Sequence, residues 1–485
     1  MPIGPKIHDV APKRKRDWES EGKPAKKADT SLSPADTWRE EHAITIHGPT
    51  SDYICPDPIL SFKDTPFSTD IQTSLTKAGY TAPTPTQAQS WPIALTKQDM
   101  ISVAKTGSGK TVGFLLPSFH HISKGKAGHH PRILVLAPTR ELATQIEAEA
   151  KKFSRAKPYV RTTCVFGGAP KYNQIRQIEQ GIDCLVACPG RLSDLITMKK
   201  VSLEAIEILV LDEADRMLDM GFEPQIRAIV ENIPDQRQTL LFSATWPKAI
   251  QKLARAFLKN PVQVNMGNID VLQANTDIVQ SVDIIREDEK NDKLIELMNK
   301  IVKMEDPNNT DLTNHIKTIV FFRTKRSCDR LAQEYWQHGY AVGCLHGDMD
   351  QHQRTLTMNQ FKQGTLKILF ATDVAARGLD VKDVGIVINY DMPGGTNGIE
   401  DYIHRIGRTG RAGAKGKSFS FFTDADADCA KQLVEILTAA KQEVPKELVD
   451  LSFSSRRGRK SGGGRGRNFG GNRSGGRGGG RGRRW

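Results

Sequence analysis

Between residues 62 and 264, hydrophobic positions fall into short β-branched runs separated by longer stretches whose apolar residues recur every three or four positions. The runs Met100–Ala104, Ile133–Ala137, Cys164–Phe166, Cys184–Ala187, Ile208–Leu211 and Thr239–Ser243 are nearly all apolar, as in strands buried on both faces. Stretches such as Arg140–Phe153 and Pro224–Ile233 follow a helical period. A second series begins after about Asn275, with strands predicted at Val279–Ile284, Thr318–Phe322, Gly343–His346, Lys367–Ala371, Ile386–Asn389 and Ser418–Phe422. Its helices are predicted at Arg326–His338, Gln351–Gln363 and Asp428–Lys441. Strands alternating with helices predict α/β lobes, each a parallel sheet covered on both faces. The polar, uneven stretch Asn265–Asn275 reads as a linker, and the cleft between two such lobes is a common ligand position.

Composition narrows the setting. With 485 residues and 38% hydrophobic content the chain can bury sizeable cores. No apolar run approaches the ~18 residues of a membrane span, so no membrane partner is expected. Met1–Arg16 has no apolar stretch, which argues against a secretory signal. Seven cysteines without a CxxC pair argue for reduced intracellular thiols, not a disulfide scaffold or zinc ribbon.

The formal charge is +13, and it sits at the ends. Residues 456–485 carry 10 Arg, one Lys and no acid, and residues 1–40 carry a net +2, which leaves 41–454 neutral. The globular part therefore needs a local basic groove to hold a polyanion, not a global field. The C-terminal stretch has 13 Gly in 30 residues and cannot bury a core, so it is predicted to be disordered. A solubilising role would account for its charge. Arg used almost to the exclusion of Lys, interleaved with Phe469 and Trp485, better suits phosphate contact and base stacking on RNA. Lys13-Arg14-Lys15-Arg16 with Lys26-Lys27 resembles a bipartite nuclear localisation signal, and a solvated charge run is the plainer account.

Ala104-Lys-Thr-Gly-Ser-Gly-Lys-Thr111 follows a strand and opens a helix. Gly107 and Gly109 let the backbone turn its amides toward phosphate oxygens. Lys110 suits the β- and γ-phosphates, and Thr111 suits Mg2+. About a hundred residues on, the apolar strand Ile208–Leu211 ends in Asp212-Glu-Ala-Asp215. Asp212 suits Mg2+, directly or through water, and Glu213 suits activation of the attacking water. In the second lobe, His404-Arg-Ile-Gly-Arg-Thr-Gly-Arg411 offers Arg408 and Arg411 to the γ-phosphoryl group, worth ~10³–10⁵ in rate where such arginines act. Because they come from the other lobe, hydrolysis requires closure.

These residues, in this order, resemble the DEAD-box ATP-dependent RNA helicases over about Phe62–Pro445. The resemblance implies two tandem RecA-like domains: residues 59–264, with the ATP site, and 276–450, joined by a linker at 265–275. A largely disordered basic extension (1–58) and an Arg/Gly-rich RNA-binding tail (451–485) flank them. It implies that Phe62 stacks on adenine and Gln87 reads its edge, with Ala104, Lys105, Thr106, Gly107, Ser108, Gly109, Lys110, Thr111 and Asp380 around the rest of ATP. Ser243, Thr245 and His404 would couple hydrolysis to strand separation. Pro138, Thr139, Arg140, Gly167, Gly168, Pro189, Gly190 and Arg191 in the first lobe would grip RNA, with Arg323, Thr324, Gln351, Arg354 and Thr372 in the second. Backbone contacts make binding largely sequence-independent, and 2′-hydroxyl contacts favour RNA.

Two positions depart from the family pattern: Thr86 stands where Ile is usual, and Cys188 where Thr is usual, a weaker donor. The reading is a monomeric RNA-dependent ATPase using ATP and Mg2+ that opens short duplexes or remodels ribonucleoproteins. The nucleus or nucleolus, and ribosomal RNA processing or mRNA metabolism, are expected. An ATP-gated clamp, an annealing or scaffold factor, and a DNA-acting helicase are the rivals.

Overall fold

Two sheets carry the chain in the computed structural model, which describes residues 33–122, 130–154, 156, 159–267, 277–302, 316–373, 381, 383–395, 398–410 and 414–458. The first sheet holds β1 (Ile44–His47), β2 (Met100–Val103), β3 (Ile133–Leu136), β4 (Thr162–Val165), β5 (Cys184–Ala187), β6 (Ile208–Leu211), β7 (Gln238–Ser243) and β8 (Val262–Met266). Its order is β1-β8-β2-β7-β6-β3-β5-β4, parallel except where β1 meets β8. The second holds β9 (Ile278–Ile284), β10 (Thr318–Phe322), β11 (Val342–Leu345), β12 (Ile368–Thr372), β13 (Ile386–Asn389) and β14 (Gly416–Phe422), in the order β11-β12-β10-β13-β14-β9, all parallel.

The apolar runs are central strands because both faces are covered. Ile133 and Val135 of β3 enter one core cluster while Leu134 and Leu136 enter the other. Ile208, Val210 and Leu209, Leu211 of β6 divide the same way. In the second lobe Val320 and Phe322 face one core and Ile319 and Phe321 the other. Parallel pairing sets all the C-terminal strand ends on one edge of each sheet. Loops following β2, β3, β4, β5, β6 and β7 therefore converge, and such edges are where open α/β sheets bind ligands.

One expectation is narrowed at the N-terminus, where residues 1–32 lie outside the described residues. The extension expected to be largely disordered is ordered from residue 33. Ser33 caps the helix Pro34–Glu41 by accepting from the Asp36 N–H, and β1 then pairs antiparallel with β8. Arg39 fixes it from the side, donating to Gln89 Oε1 at 2.8 Å and to the Pro56 carbonyl at 2.9 Å. The extension thus covers an edge of the nucleotide lobe. β8 takes the first residues of the expected linker, and its residues 268–275 lie outside the described residues. So do the basic cluster at 13–27 and residues 459–485 of the tail, whose first part continues the helix Lys446–Gly458.

Candidate active site and nucleic-acid interface

Residues 104–109 bridge buried β2 and the helix Lys110–Ile122. Gly107 and Gly109 hold φ of +78° and +87°, a region open to glycine. At Gly109 a Cβ would also fall 2.6 Å from Gln87 Nε2. The loop is braced by the preceding helix, Pro85–Leu95. Thr84 Oγ1 donates to the Ser108 carbonyl at 2.8 Å and Gln87 Nε2 to the Gly109 carbonyl at 3.1 Å. Lys110 Nζ folds back onto the Ala104 carbonyl at 2.8 Å. Gln87 is buried, and its Oε1 accepts from the Thr84 N–H at 3.1 Å. An amide has two hydrogens and two acceptor lone pairs, so bracing the loop leaves one of each for a base edge. Phe62 sits on a short 3-10 turn, partly buried against the first core, its ring 6.1 Å from Trp91.

Asp212 ends β6 almost fully buried, and its Oδ1 accepts the Glu213 N–H at 3.0 Å. Burial pushes its carboxyl up to about 7, with Glu213 and Asp215 adding to the rise and Lys110 opposing it. A desolvated carboxylate in that position suits a divalent cation. Thr111 begins the helix across the loop, and Ser108 Oγ is buried without a hydrogen-bond partner among the described residues. These groups fit Mg2+ and phosphate. Glu213 is buried and adopts φ +49°, costly for a non-glycine residue.

Asp215 is a structural relay. Its Oδ2 accepts from the Ala244 N–H, the Thr245 N–H and Thr245 Oγ1, each at 3.0 Å. His404 Nε2 lies 3.9 Å from the same oxygen, across the lobe boundary. Burial, reinforced by Arg216 and Arg408, holds His404 well below its usual value and therefore neutral. The coupling residues expected from the sequence, Thr245 and His404, thus meet at one carboxylate. Ser243 is fully buried, and its Oγ has no hydrogen-bond partner among the described residues.

The lobes are closed on one another. A Cβ at Gly407 would stand 3.1 Å from Thr106 Oγ1, so the Arg408 segment abuts the phosphate loop. Arg408 is buried in a small cavity that it shares with Arg216, Asp401 and His404. Arg216 donates to Asp401 of the second lobe and to Asp219 at 2.7 Å. Thr245 Oγ1 lies 3.5 Å from Glu400 Oε2. Arg411 and Asp380 lie outside the described residues.

The RNA-facing expectations divide. Arg140 donates to Gln351 Oε1 at 2.9 Å, and Arg354 donates to Glu141, so loops from the two lobes meet. The Arg140 guanidinium lies over Gly168, where a Cβ would fall 2.2 Å from it. Gly190 is exposed with open space about it, at the start of the helix Pro189–Thr197. Cys188 makes no side-chain cap there, in keeping with a thiol sulfur that accepts more weakly than a Thr hydroxyl. Thr372 ends β12 largely buried.

Four expected grips have other work in this state. Arg191 is buried, donating to the Ala169 carbonyl at 3.1 Å and to Gln174 at 3.0 Å, so it braces the glycine loop. Arg323 pairs with Asp426 at 2.7 Å and donates to the Met392 carbonyl at 3.0 Å. Thr139 and Thr324 cap the helices Arg140–Lys151 and Lys325–Gln337 by accepting from Leu142 and Ser327 N–H groups. Arg191 and Arg323 are held by residues distant in the chain, whereas the Thr139 and Thr324 caps are local. Sequence reasoning in turn missed Arg216, Glu400 and Asp401. Their one signal was an arginine following the acidic tetrad and an acid pair ahead of His404.

A family model described as DEAD/DEAH box helicase matches residues 84–253, and one described as helicase conserved C-terminal domain matches 289–413. The chain is 48% identical over 425 residues to DEAD-box ATP-dependent RNA helicase 14 of Arabidopsis thaliana, covering 87% of this chain and 65% of that one. To ATP-dependent RNA helicase DBP2 of Eremothecium gossypii it is 46% identical, covering 86% and 72%. It therefore spans just under two thirds of the first relative's length. Among solved structures, S. cerevisiae Dbp5 bound to RNA and ADP BeF3 aligns with a TM-score of 0.67 at 27% identity, covering 82% of this chain and 99% of that one.

Proposed function

The chain belongs to the DEAD-box RNA helicases, and from that premise we propose that it is an RNA-dependent ATPase whose lobes close on ATP and one RNA strand together. The observation that carries this is the approach of Gly407 to Thr106, which sets the Arg408 segment against the phosphate loop. Lys110 holds the β- and γ-phosphates, Glu213 takes the proton of the attacking water, and Arg408 offsets charge developing on the γ-phosphoryl group. Mg2+, held by Thr111 and Asp212, neutralises phosphate charge when bound. Gln87 keeps a hydrogen and a lone pair for adenine, and Phe62 stacks on it. Asp215 links the acidic strand end to Thr245 and, across the boundary, to His404. Arg411 and Asp380 keep the roles their motifs imply.

RNA lies along the seam marked by Arg140, Gly168, Gln351 and Arg354, and closure on one strand expels the other. Because both ligands contact both lobes, each strengthens the other's binding. The Arg/Gly tail adds sequence-independent affinity. Its deletion (456–485) flattens the salt dependence of RNA binding, and an unchanged slope would reduce it to a solubiliser. The basic N-terminal cluster and this tail support a nuclear or nucleolar setting in ribosomal RNA or mRNA metabolism, on ribonucleoprotein substrates, as a monomer. ATP hydrolysis measured beside release of a labelled strand tests the reading. Stimulation by RNA with strand release supports it. Equal stimulation by DNA of the same sequence, or RNA retention without turnover, contradicts it.

A further inference from the structure

On the second lobe, outside the nucleotide site, the helix Lys325–Gln337 packs on β11 and brings two thiols, an imidazole and a carboxylate together. Cys328 Sγ lies 3.0 Å from Cys344 Sγ. Cys344 Sγ lies 3.3 Å from Asp329 Oδ1, and His346 Nε2 lies 2.7 Å from that same oxygen. Ligand atoms of Asp329, Cys344 and His346 all fall within 4.8 Å of one another. We propose that Cys328, Asp329, Cys344 and His346 form a binding site for a thiophilic divalent cation of the zinc class.

The donor set carries the choice of metal. Thiolate, imidazole and carboxylate are the ligands Zn2+ takes, at ~2.0–2.3 Å, so its donors stand ~3.3–3.8 Å apart. The Cys328–Cys344, Cys344–Asp329 and His346–Asp329 contacts, at 3.0, 3.3 and 2.7 Å, are at or inside that spacing, and Cys328, which reaches the cluster through Cys344, must shift with them to surround an ion. The spacing differs from a ribbon: adjacent Cys328-Asp329 on a helix faces Cys344-x-His346 at a strand end. The strand period sets those last two on one side. Cys328 and His346 are buried, and His346 Nδ1 has no hydrogen-bond partner among the described residues. Asp329 is exposed and offers an entry path.

Electrostatics favour a metal over a redox pair. A thiolate at Cys344 would face Cys328 Sγ at 3.0 Å and Asp329 Oδ1 at 3.3 Å. Reactive thiols sit in electropositive surroundings, the reverse of this pocket. Neighbouring cations are engaged elsewhere, Lys325 with Asp348 and Arg330 with Glu334. A bound cation inverts the logic, since a coordinating thiol is deprotonated outright. Such an ion would tie the helix to the end of β11, immediately ahead of the loop that leads to Gln351 and Arg354.

The full chain, stripped with chelator, is titrated with Zn2+ against a chromophoric chelator and, separately, with Co2+. The expected result is one Zn2+ per chain and a tetrahedral Co2+ spectrum with a thiolate charge-transfer band. Affinity falls more than about 100-fold in Cys344→Ser and at least about 10-fold in Asp329→Asn, and is unchanged in Cys429→Ser. Thermal melting of each variant without metal separates lost binding from lost folding. Zn2+ retention unaffected by Cys344→Ser, a Co2+ spectrum without the thiolate band, or no retention at all overturns the site. A chain lighter by two hydrogens with Cys328 joined to Cys344, and no metal uptake, replaces it with a disulfide.

Discussion

Arg216, the residue after the acidic tetrad, reaches across the lobe boundary to Asp401, in the first turn of the helix Gly398–Ile406. Both side chains are largely desolvated in the closed form, and Asp219 holds the other arm of the guanidinium at 2.7 Å. The pair exists only when the lobes meet, so it links the hydrolytic strand end to closure.

Arg216→Ala leaves Asp401 buried without its cation, a loss on the order of 3 kcal/mol for the closed form. That corresponds to about a hundredfold more RNA for half-maximal ATPase stimulation. Asp401→Asn costs less, because Arg216 keeps Asp219. No effect of Arg216→Ala would show that the contact does not contribute to closure.

Glu213→Gln keeps the size of the side chain and removes the base. ATP binding, followed by a fluorescent analogue, stays near that of the unaltered chain while turnover falls by at least about 10². Turnover at the original level would mean that another group activates the water.

Glu400 sets a pH dependence. Burial, with Asp215, Asp219 and Asp401 around it and Arg216 opposing, pushes its carboxyl up to about 7 in the closed form. Opening takes Asp215 and Asp219 away from it, and its carboxyl is then expected to return toward its ordinary value. Closure therefore favours the protonated acid. Its contribution is complete below the ordinary carboxyl range and is lost as pH rises through about 7. His404, held neutral in the closed form, opposes closure wherever the open form is protonated, an opposition that fades as pH rises through its ordinary value and partly offsets the Glu400 trend. RNA retention with a non-hydrolysable ATP analogue is expected to weaken from pH 6 to pH 8, and Glu400→Gln to flatten that trend. A trend that survives Glu400→Gln assigns it to another group.

The ordered extension makes truncation a graded test. Removing residues 1–32 leaves thermal stability unchanged. Removing 1–47 strips β1 from β8 and Arg39 from Gln89, and lowers the melting temperature by several degrees, as for a loss of about 2 kcal/mol. Equal melting of the two truncations would make the extension an ornament.

The sequence was most legible where physics is local. The runs Cys184–Ala187, Ile208–Leu211, Thr318–Phe322 and Ile386–Asn389 are strands with those bounds, because burial on both faces leaves an unbroken apolar signature. The phosphate loop was legible because backbone geometry demands glycine at Gly107 and Gly109. β1 was hidden by its half-exposed alternation at the sheet edge, and β8 by its Gln263 and Asn265, which made it resemble a linker. The burial of Arg191, the pairing of Arg323 with Asp426 and the meeting of Arg216 with Asp401 depend on contacts that no local pattern encodes.

The interlobe distance, followed by single-molecule energy transfer between a dye on each lobe while hydrolysis is recorded, tests closure most directly. Short distances are expected only with ATP and RNA present together, with hydrolysis confined to that state and both lost in Arg216→Ala. Full-rate hydrolysis from molecules whose lobes stay apart would contradict the account.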